Sequence, residues 1–101
     1  MAFNELTDEQ VERLDILAEE AAEVIVAISK IKRHGYLSYN PDVPSRDRVY
    51  NKYQLEVELA DLVGVMDEMC ARGDLSGPKI EARGKLAWAK KLKYTHHQPN
   101  T

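Results

Sequence analysis

The chain has 101 residues, 44 % apolar and 31 % charged, with a formal net charge of -3. That length allows one domain with a limited core, so assembly with further copies is expected. Mixed charges without a broad basic face argue against nucleic acid as a partner. The single cysteine, Cys70, excludes an intramolecular disulfide, no Cys/His spacing suggests zinc, and the thiol reads as a small apolar side chain on a helix. Residues 1–12 are polar and acidic, unlike a secretory signal, and the most apolar stretch, 21–28, is short and interrupted by Glu23. No membrane span and a cytoplasmic location are therefore expected.

The pattern predicts an all-α fold with helices over about 7–34, 47–72 and 77–95 and a loop at 35–46. Thr7 can cap the first helix, with Gln10 completing a capping box and Asp8 and Glu9 suiting its positive end. Leu14, Leu17, Ala21, Val24, Ile25 and Ile28 recur at helical spacing, and Gly35 follows the basic last turn as a stop signal. His34, beside Gly35, reads as a helix-end residue. The loop contains Asn40-Pro41-Asp42 and Val43-Pro44-Ser45, which disfavour helix. Its Tyr36 and Tyr39 predict that part of it packs against something. The second helix starts at Asp47 or Val49 and ends before Gly73. Ser76-Gly77-Pro78 opens the third, which carries Ile80, Leu86, Trp88 and Leu92 among lysines, and the tail from His96 to the C-terminus is polar and expected to fray. Two long antiparallel helices plus a C-terminal helix should form a bundle completed by oligomerisation.

Side-chain directions follow from a turn of about 100° per residue. On the first helix Glu20 projects between Ala27 and Ile31, inside the flank of the apolar arc. Glu23 lies about 60° further round at its margin, and Glu19 roughly another 40° towards water. On the second helix Glu58 falls between Val65 and Met69, with Asp61 about 60° away at the edge. Each helix thus offers one embedded and one marginal carboxylate, three residues apart. Ionised carboxylates in such positions need a partner, either basic side chains or a multivalent cation. Arg13 and Lys52 are the nearest bases. A hard cation such as Mg²⁺ takes oxygen ligands and commonly uses carboxylates together with substrate phosphates. The alternative for Glu19, Glu20 and Glu23 is a solvated helix face.

The two motifs, Glu19-Glu20-Ala21-Ala22-Glu23 and Glu58-Leu59-Ala60-Asp61, resemble the signature of the all-α NTP pyrophosphohydrolase superfamily, in particular MazG-like proteins. The similarity extends to their flanks: Leu17-Ala18 and Val24-Ile25-Val26-Ala27-Ile28 around the first motif, and Leu62-Val63-Gly64-Val65 following Asp61. Residues 33–41 are similar to the inter-helix region of small phage-encoded members. The likeness covers roughly residues 14–69, about half the chain, and the interval between Glu23 and Asp61 is longer than in compact MazG domains.

The resemblance implies cleavage of a nucleoside triphosphate between its α and β phosphates, giving the monophosphate and pyrophosphate. It implies Glu20, Glu23, Glu58 and Asp61 as ligands of Mg²⁺, or of Mn²⁺ as a substitute, the same four acids that the angular reading selects. Bound Mg²⁺ would bridge triphosphate oxygens, neutralise developing charge and help to deprotonate an attacking water. Glu19 is the candidate for orienting that water, an exposed helix glutamate being the alternative. Lys30, Arg33, Lys79, Arg83 and Lys85 are candidates for phosphate contacts, or simply the wet faces of their helices. Tyr36, Tyr39, Tyr50, Tyr53 and Trp88 are available to stack on a base, though each also suits a core or interface position. A homodimer or homotetramer is expected. Sister readings are pyrophosphate release from phosphoribosyl-ATP and a dedicated dUTP-hydrolysing role. A reading of another class is a non-catalytic acidic helical module for oligomerisation or interaction.

Overall fold

The computed structural model describes residues 3–99; Met1 and Ala2 of the polar start, and Asn100 and Thr101 of the tail expected to fray, lie outside the described residues. The described chain is all-α: α1 (Asp8–His34), α2 (Asn51–Ala71) and α3 (Gly77–Leu92), with one 3-10 turn, Ser45–Asp47, between the first two. The start of α1 is the anticipated capping box. The Thr7 hydroxyl accepts from the Gln10 amide at 3.1 Å, and the Gln10 side chain accepts from the Thr7 amide at 2.9 Å. At the other end Gly35 takes φ +89°, which a side chain would resist, and donates its N–H to the Ile31 carbonyl.

α2 begins at Asn51, later than the pattern predicts, because the chain around Pro44 closes a 3-10 turn and then runs extended through Tyr50. Tyr50 supplies no side-chain cap. Instead the free amides of Asn51 and Lys52 donate to the carbonyls of Ser38 and Tyr36 at 2.9 and 2.8 Å, and the Asn51 side chain donates to the Gly35 carbonyl at 3.1 Å. The loop therefore folds back and caps the helix that follows it, satisfying donors that a helix start otherwise leaves open.

Gly73, at φ +84°, donates to the Cys70 carbonyl and Asp74 to the Met69 carbonyl, which is the Schellman pattern. That turn aims the Asp74 carboxylate at α1. Arg13 donates to it through Nε at 2.6 Å and Nη2 at 3.1 Å, and Gln10 adds a contact at 3.4 Å. The start of α1 is thereby tied to the end of α2, and the two helices run antiparallel. Hydrogen bonding to Arg13 holds the Asp74 carboxyl below its ordinary value, outweighing the opposing effect of burial. A group with a depressed folded-state pKa contributes stability above its unfolded pKa and loses it as the pH falls. Asp74→Asn is accordingly expected to lower the melting temperature at pH 7, with the gap to wild type closing as the solution is acidified through the carboxylate range. An equal gap at every pH would show that the charge is not what matters.

The buried apolar side chains of the described residues are Val24 and Ala27 on α1 and Met69 on α2, Met69 being 1 % exposed and near the Arg13–Asp74 end of the hairpin. Met69→Ala should cost about 2–5 kcal/mol in a denaturant titration, since a large side chain almost wholly removed from water is lost.

α3 starts as expected, with the Ser76 hydroxyl accepting from the Lys79 amide and Pro78 in the first turn. The first turn lies close to α2: a methyl group on Gly77 would stand 3.8 Å from Cys70 Sγ. Beyond that turn the helix leaves the hairpin, and Ile80, Leu86 and Trp88 remain exposed. The expected bundle is thus a two-helix hairpin with the third helix projecting from its end. The physical reason is that Ile80, Leu86 and Trp88 of α3 have no facing surface within one chain. The radius of gyration, 17.4 Å, exceeds the roughly 13 Å of a compact chain of this length.

Candidate metal centre

The antiparallel pairing sets the Glu20 turn of α1 against the Glu58 turn of α2. Glu20, Glu58 and Asp61 each present a carboxylate oxygen, and these oxygens all lie within 4.8 Å of one another. Glu20 and Glu58 are half-buried and Asp61 is exposed, the gradation that helix geometry predicts. One oxygen of Glu20 and one of Glu58, both Oε2, are buried without any hydrogen-bond partner. Leaving a buried charged oxygen without a partner is costly.

No cation among the described residues meets that need. None of the ion pairs among the described residues involves the four acids. Arg13 is engaged by Asp74, and Lys52 is exposed. Gln54 braces the cluster, its amide donating to Glu58 Oε1 at 2.6 Å. Oxygen donors a few ångströms apart, two of them desolvated, form a donor set that fits a hard divalent cation. Glu20, Glu58 and Asp61 could hold one, with Glu23 beside Glu58.

Glu23 reports the same crowding. Its close side-chain approach to Glu58 first, then the charge of Glu20, burial, and the charges of Glu58 and Glu19, raise its carboxyl to about 7. Because this pKa is raised, the folded state binds more protons than the unfolded one between the ordinary value of 4.5 and about 7. Stability of the metal-free protein should then fall as the pH rises through that window. Melting is expected at a higher temperature near pH 5 than near pH 8 without divalent metal, and saturating Mg²⁺ should raise the pH 8 value more than the pH 5 value, because ligation requires the ionised form. Equal metal effects at both values would contradict the cluster as the binding site.

Glu19 is exposed, outside the three-acid group, and acts on Glu23 through its charge. Lys30 and Arg33 line a cavity of about 890 Å³ formed by the last turns of α1, the loop and the first turn of α2. Lys30 follows Glu23 by seven residues, two helical turns on nearly the same azimuth, about 10 Å along the axis. Gln54 lines the cavity as well as bracing Glu58, so cavity and acids adjoin. Lys79, Arg83 and Lys85 stand on α3 and do not line this cavity; Arg83 borders a smaller depression with Lys90 and Tyr94, and Lys85 lies 3.6 Å from Glu81.

Two residues that the sequence pattern does not single out organise the region. Gln54 precedes Glu58 by four residues, a helical spacing that could have marked it. Arg48 donates to the carbonyls of Val43 and Pro41 at 3.0 and 3.3 Å, and its guanidinium lies 4.6 Å from the centre of the Tyr39 ring. Tyr39 in turn packs edge-on against Tyr50, with ring centres 6.2 Å apart. The aromatic residues of the loop thus do pack, and Arg48 moulds the cavity wall. No local spacing signals this, since the three partners of Arg48 are brought together only by the folded loop.

Comparison of the chain with protein-family models, with curated proteins and with solved structures finds no match. No helix among the described residues is long and apolar enough to cross a membrane.

Proposed function

We propose that the protein is a Mg²⁺-dependent nucleoside triphosphate pyrophosphohydrolase of the MazG-like type, Mn²⁺ being a possible substitute. It would convert a (d)NTP and one water into the monophosphate and pyrophosphate by breaking the anhydride between the α and β phosphates. The observation that carries the reading is the pair of buried, partnerless oxygens on Glu20 and Glu58, facing Asp61 and adjoining a cavity walled by Lys30, Arg33 and His34. An acidic interaction module gives no reason to bury such oxygens.

Glu20, Glu58 and Asp61, with Glu23 at their border, would hold the cation. When bound, it supplies the positive charge that binds triphosphate oxygens and acidifies a water. Gln54 fixes the Glu58 carboxylate so that its second oxygen stays with the cluster. Lys30 and Arg33 offer charge to phosphates lying between the acids and the cavity, and Tyr39, held by Arg48, offers an aromatic wall for the base. Glu19 lies near enough in sequence to orient the attacking water, although its side chain faces solvent. Lys79, Arg83 and Lys85 can contribute only if α3 meets a site across an assembly. The homodimer or homotetramer belongs to this reading, and so does a cytoplasmic location.

A panel of ribo- and deoxyribonucleoside triphosphates incubated with the full chain and Mg²⁺ tests the proposal. Pyrophosphate release from at least one of them, lost on adding EDTA, is the expected result. If no nucleotide yields pyrophosphate and Mg²⁺ leaves the melting temperature unchanged, the enzymatic reading is wrong.

A further inference from the structure

Averaged over the chain the charges are mixed, but the fold sorts them. Residues 77–101 hold six of the fourteen basic side chains and one of the seventeen acids, a net charge of +5 against -8 for residues 1–76. Because α3 leaves the hairpin after its first turn, its cations stand apart from the acidic body. A sign asymmetry of this kind marks an arm for a polyanion.

On α3 the cations form a stripe. At about 100° per residue, Lys79, Arg83 and Lys90 fall within about 40° of one another, and Lys93 stands about 60° from their middle. The one acid of the helix, Glu81, points about 180° away from the stripe. It lies 3.6 Å from Lys85, on the other side of the helix. None of the ion pairs among the described residues engages Lys79, Arg83, Lys90, Lys91 or Lys93, and all five are exposed. Helix stability does not account for the row. Lys90 and Lys91 suit the negative end of the helix, but Lys79 stands in the first turn, where a positive charge opposes the dipole, and Arg83 a turn later gains nothing from it.

The end of the helix adds a shape to the charge. Arg83, Lys90, Lys91 and Lys93 line, with Ala87 and Tyr94, a depression of about 320 Å³ that has no acidic residue in its wall. The chain tightens there, the amides of Tyr94 and Thr95 donating to the carbonyls of Lys91 and Leu92. Tyr94 is 74 % exposed, and the Lys93 ammonium lies 5.4 Å from the centre of its ring. Cations that track a backbone and an aromatic ring that takes a base are the two elements with which proteins hold a single strand. In a duplex the bases are already stacked, and the ring has nothing to reach. A bilayer suits the helix less well. Leu86, Ile80, Trp88 and Leu92 point in directions spread over about 240°, so no single apolar face can enter a membrane interface.

We infer that α3 is a binding arm for single-stranded nucleic acid, the strand's phosphates lying on Lys79, Arg83, Lys90 and Lys93 and one base against Tyr94. DNA and RNA share both features. The arm is separate from the acidic cluster and its cavity, and binding to it needs neither metal nor hydrolysis.

Fluorescence anisotropy of labelled oligothymidylate and oligouridylate, each about 16 nucleotides long, titrated with the full chain in EDTA, tests the inference. EDTA keeps divalent metal from the acidic cluster, so failure of the hydrolase reading leaves this result untouched. At least one strand should bind at low salt with a dissociation constant on the order of micromolar, and the tighter of the two identifies the strand. The logarithm of the affinity should fall against that of the salt concentration with a slope of about -3, as four phosphate contacts require. Arg83→Ala combined with Lys90→Ala should weaken binding about tenfold or more and reduce the slope to about half. Lys52→Ala combined with Lys85→Ala, an equal loss of charge off the stripe, should bind nearly as wild type does. Tyr94→Leu should weaken binding about fivefold or more. All five substituted side chains are exposed, so the variants should melt with wild type. No binding of either strand at low salt, equal losses in the two double variants, or unchanged binding by Tyr94→Leu would overturn the inference. So would binding to phosphatidylglycerol vesicles without binding to either strand, the outcome for a membrane arm.

Discussion

Glu58→Gln is expected to reduce pyrophosphate release by roughly 100-fold or more, the order seen when one group that stabilises transition-state charge is removed. The same substitution should raise the melting temperature of the metal-free protein. Glu58 carries a buried oxygen with no partner and sits against Glu20 and Asp61, so neutralising it removes an unpaired charge and its repulsion. Gln54 can still donate to the amide oxygen that replaces Glu58 Oε1, so the α2 side of the cluster keeps its brace. Opposite movement of stability and turnover distinguishes a ligand from a packing residue, whose loss lowers both. The effect of Mg²⁺ on melting should shrink in the variant. Undiminished turnover would remove Glu58 from the site.

Arg48→Ala should act on the other half of the site. Arg48 holds two loop carbonyls and covers one face of Tyr39, so without it residues 41–43 lose their anchor and the cavity wall loses its shape. The expected outcome is a rise in nucleotide KM of about tenfold to 100-fold, the scale on which misplacing a binding group by an ångström is felt. Mg²⁺ binding without nucleotide should be unchanged, because the acids stand on α1 and α2 and take no support from Arg48. A matching loss of Mg²⁺ affinity would mean that the loop shapes the acid cluster as well, and an unchanged KM would move the base away from Tyr39.

Helix periodicity carries far in this sequence because the site is built from two regular helices. The capping box at Thr7, the stop at Gly35, the start at Ser76 and the grading from Glu20 and Glu58 inward to Asp61 outward all follow from local spacing. The residues that depend on non-local geometry are not legible in it. Asp74 is aimed at Arg13 only once Gly73 turns the chain, and Arg48 finds Val43, Pro41 and Tyr39 only once the loop has folded back. The start of α2 falls later than the pattern predicts for the same reason, its capping carbonyls coming from Ser38 and Tyr36, more than ten residues upstream. The amphipathic pattern of the third helix predicts that it completes a bundle, yet Ile80, Leu86 and Trp88 find no surface within one chain.

The proposed chemistry is tested most directly by ³¹P NMR of a nucleoside triphosphate incubated with the full chain, with and without Mg²⁺. Resonances of a monophosphate and pyrophosphate in equal amounts are expected only when Mg²⁺ is present, and are expected to be absent with Glu58→Gln. Diphosphate with inorganic phosphate, products that form without divalent metal, or no change in any nucleotide would contradict it.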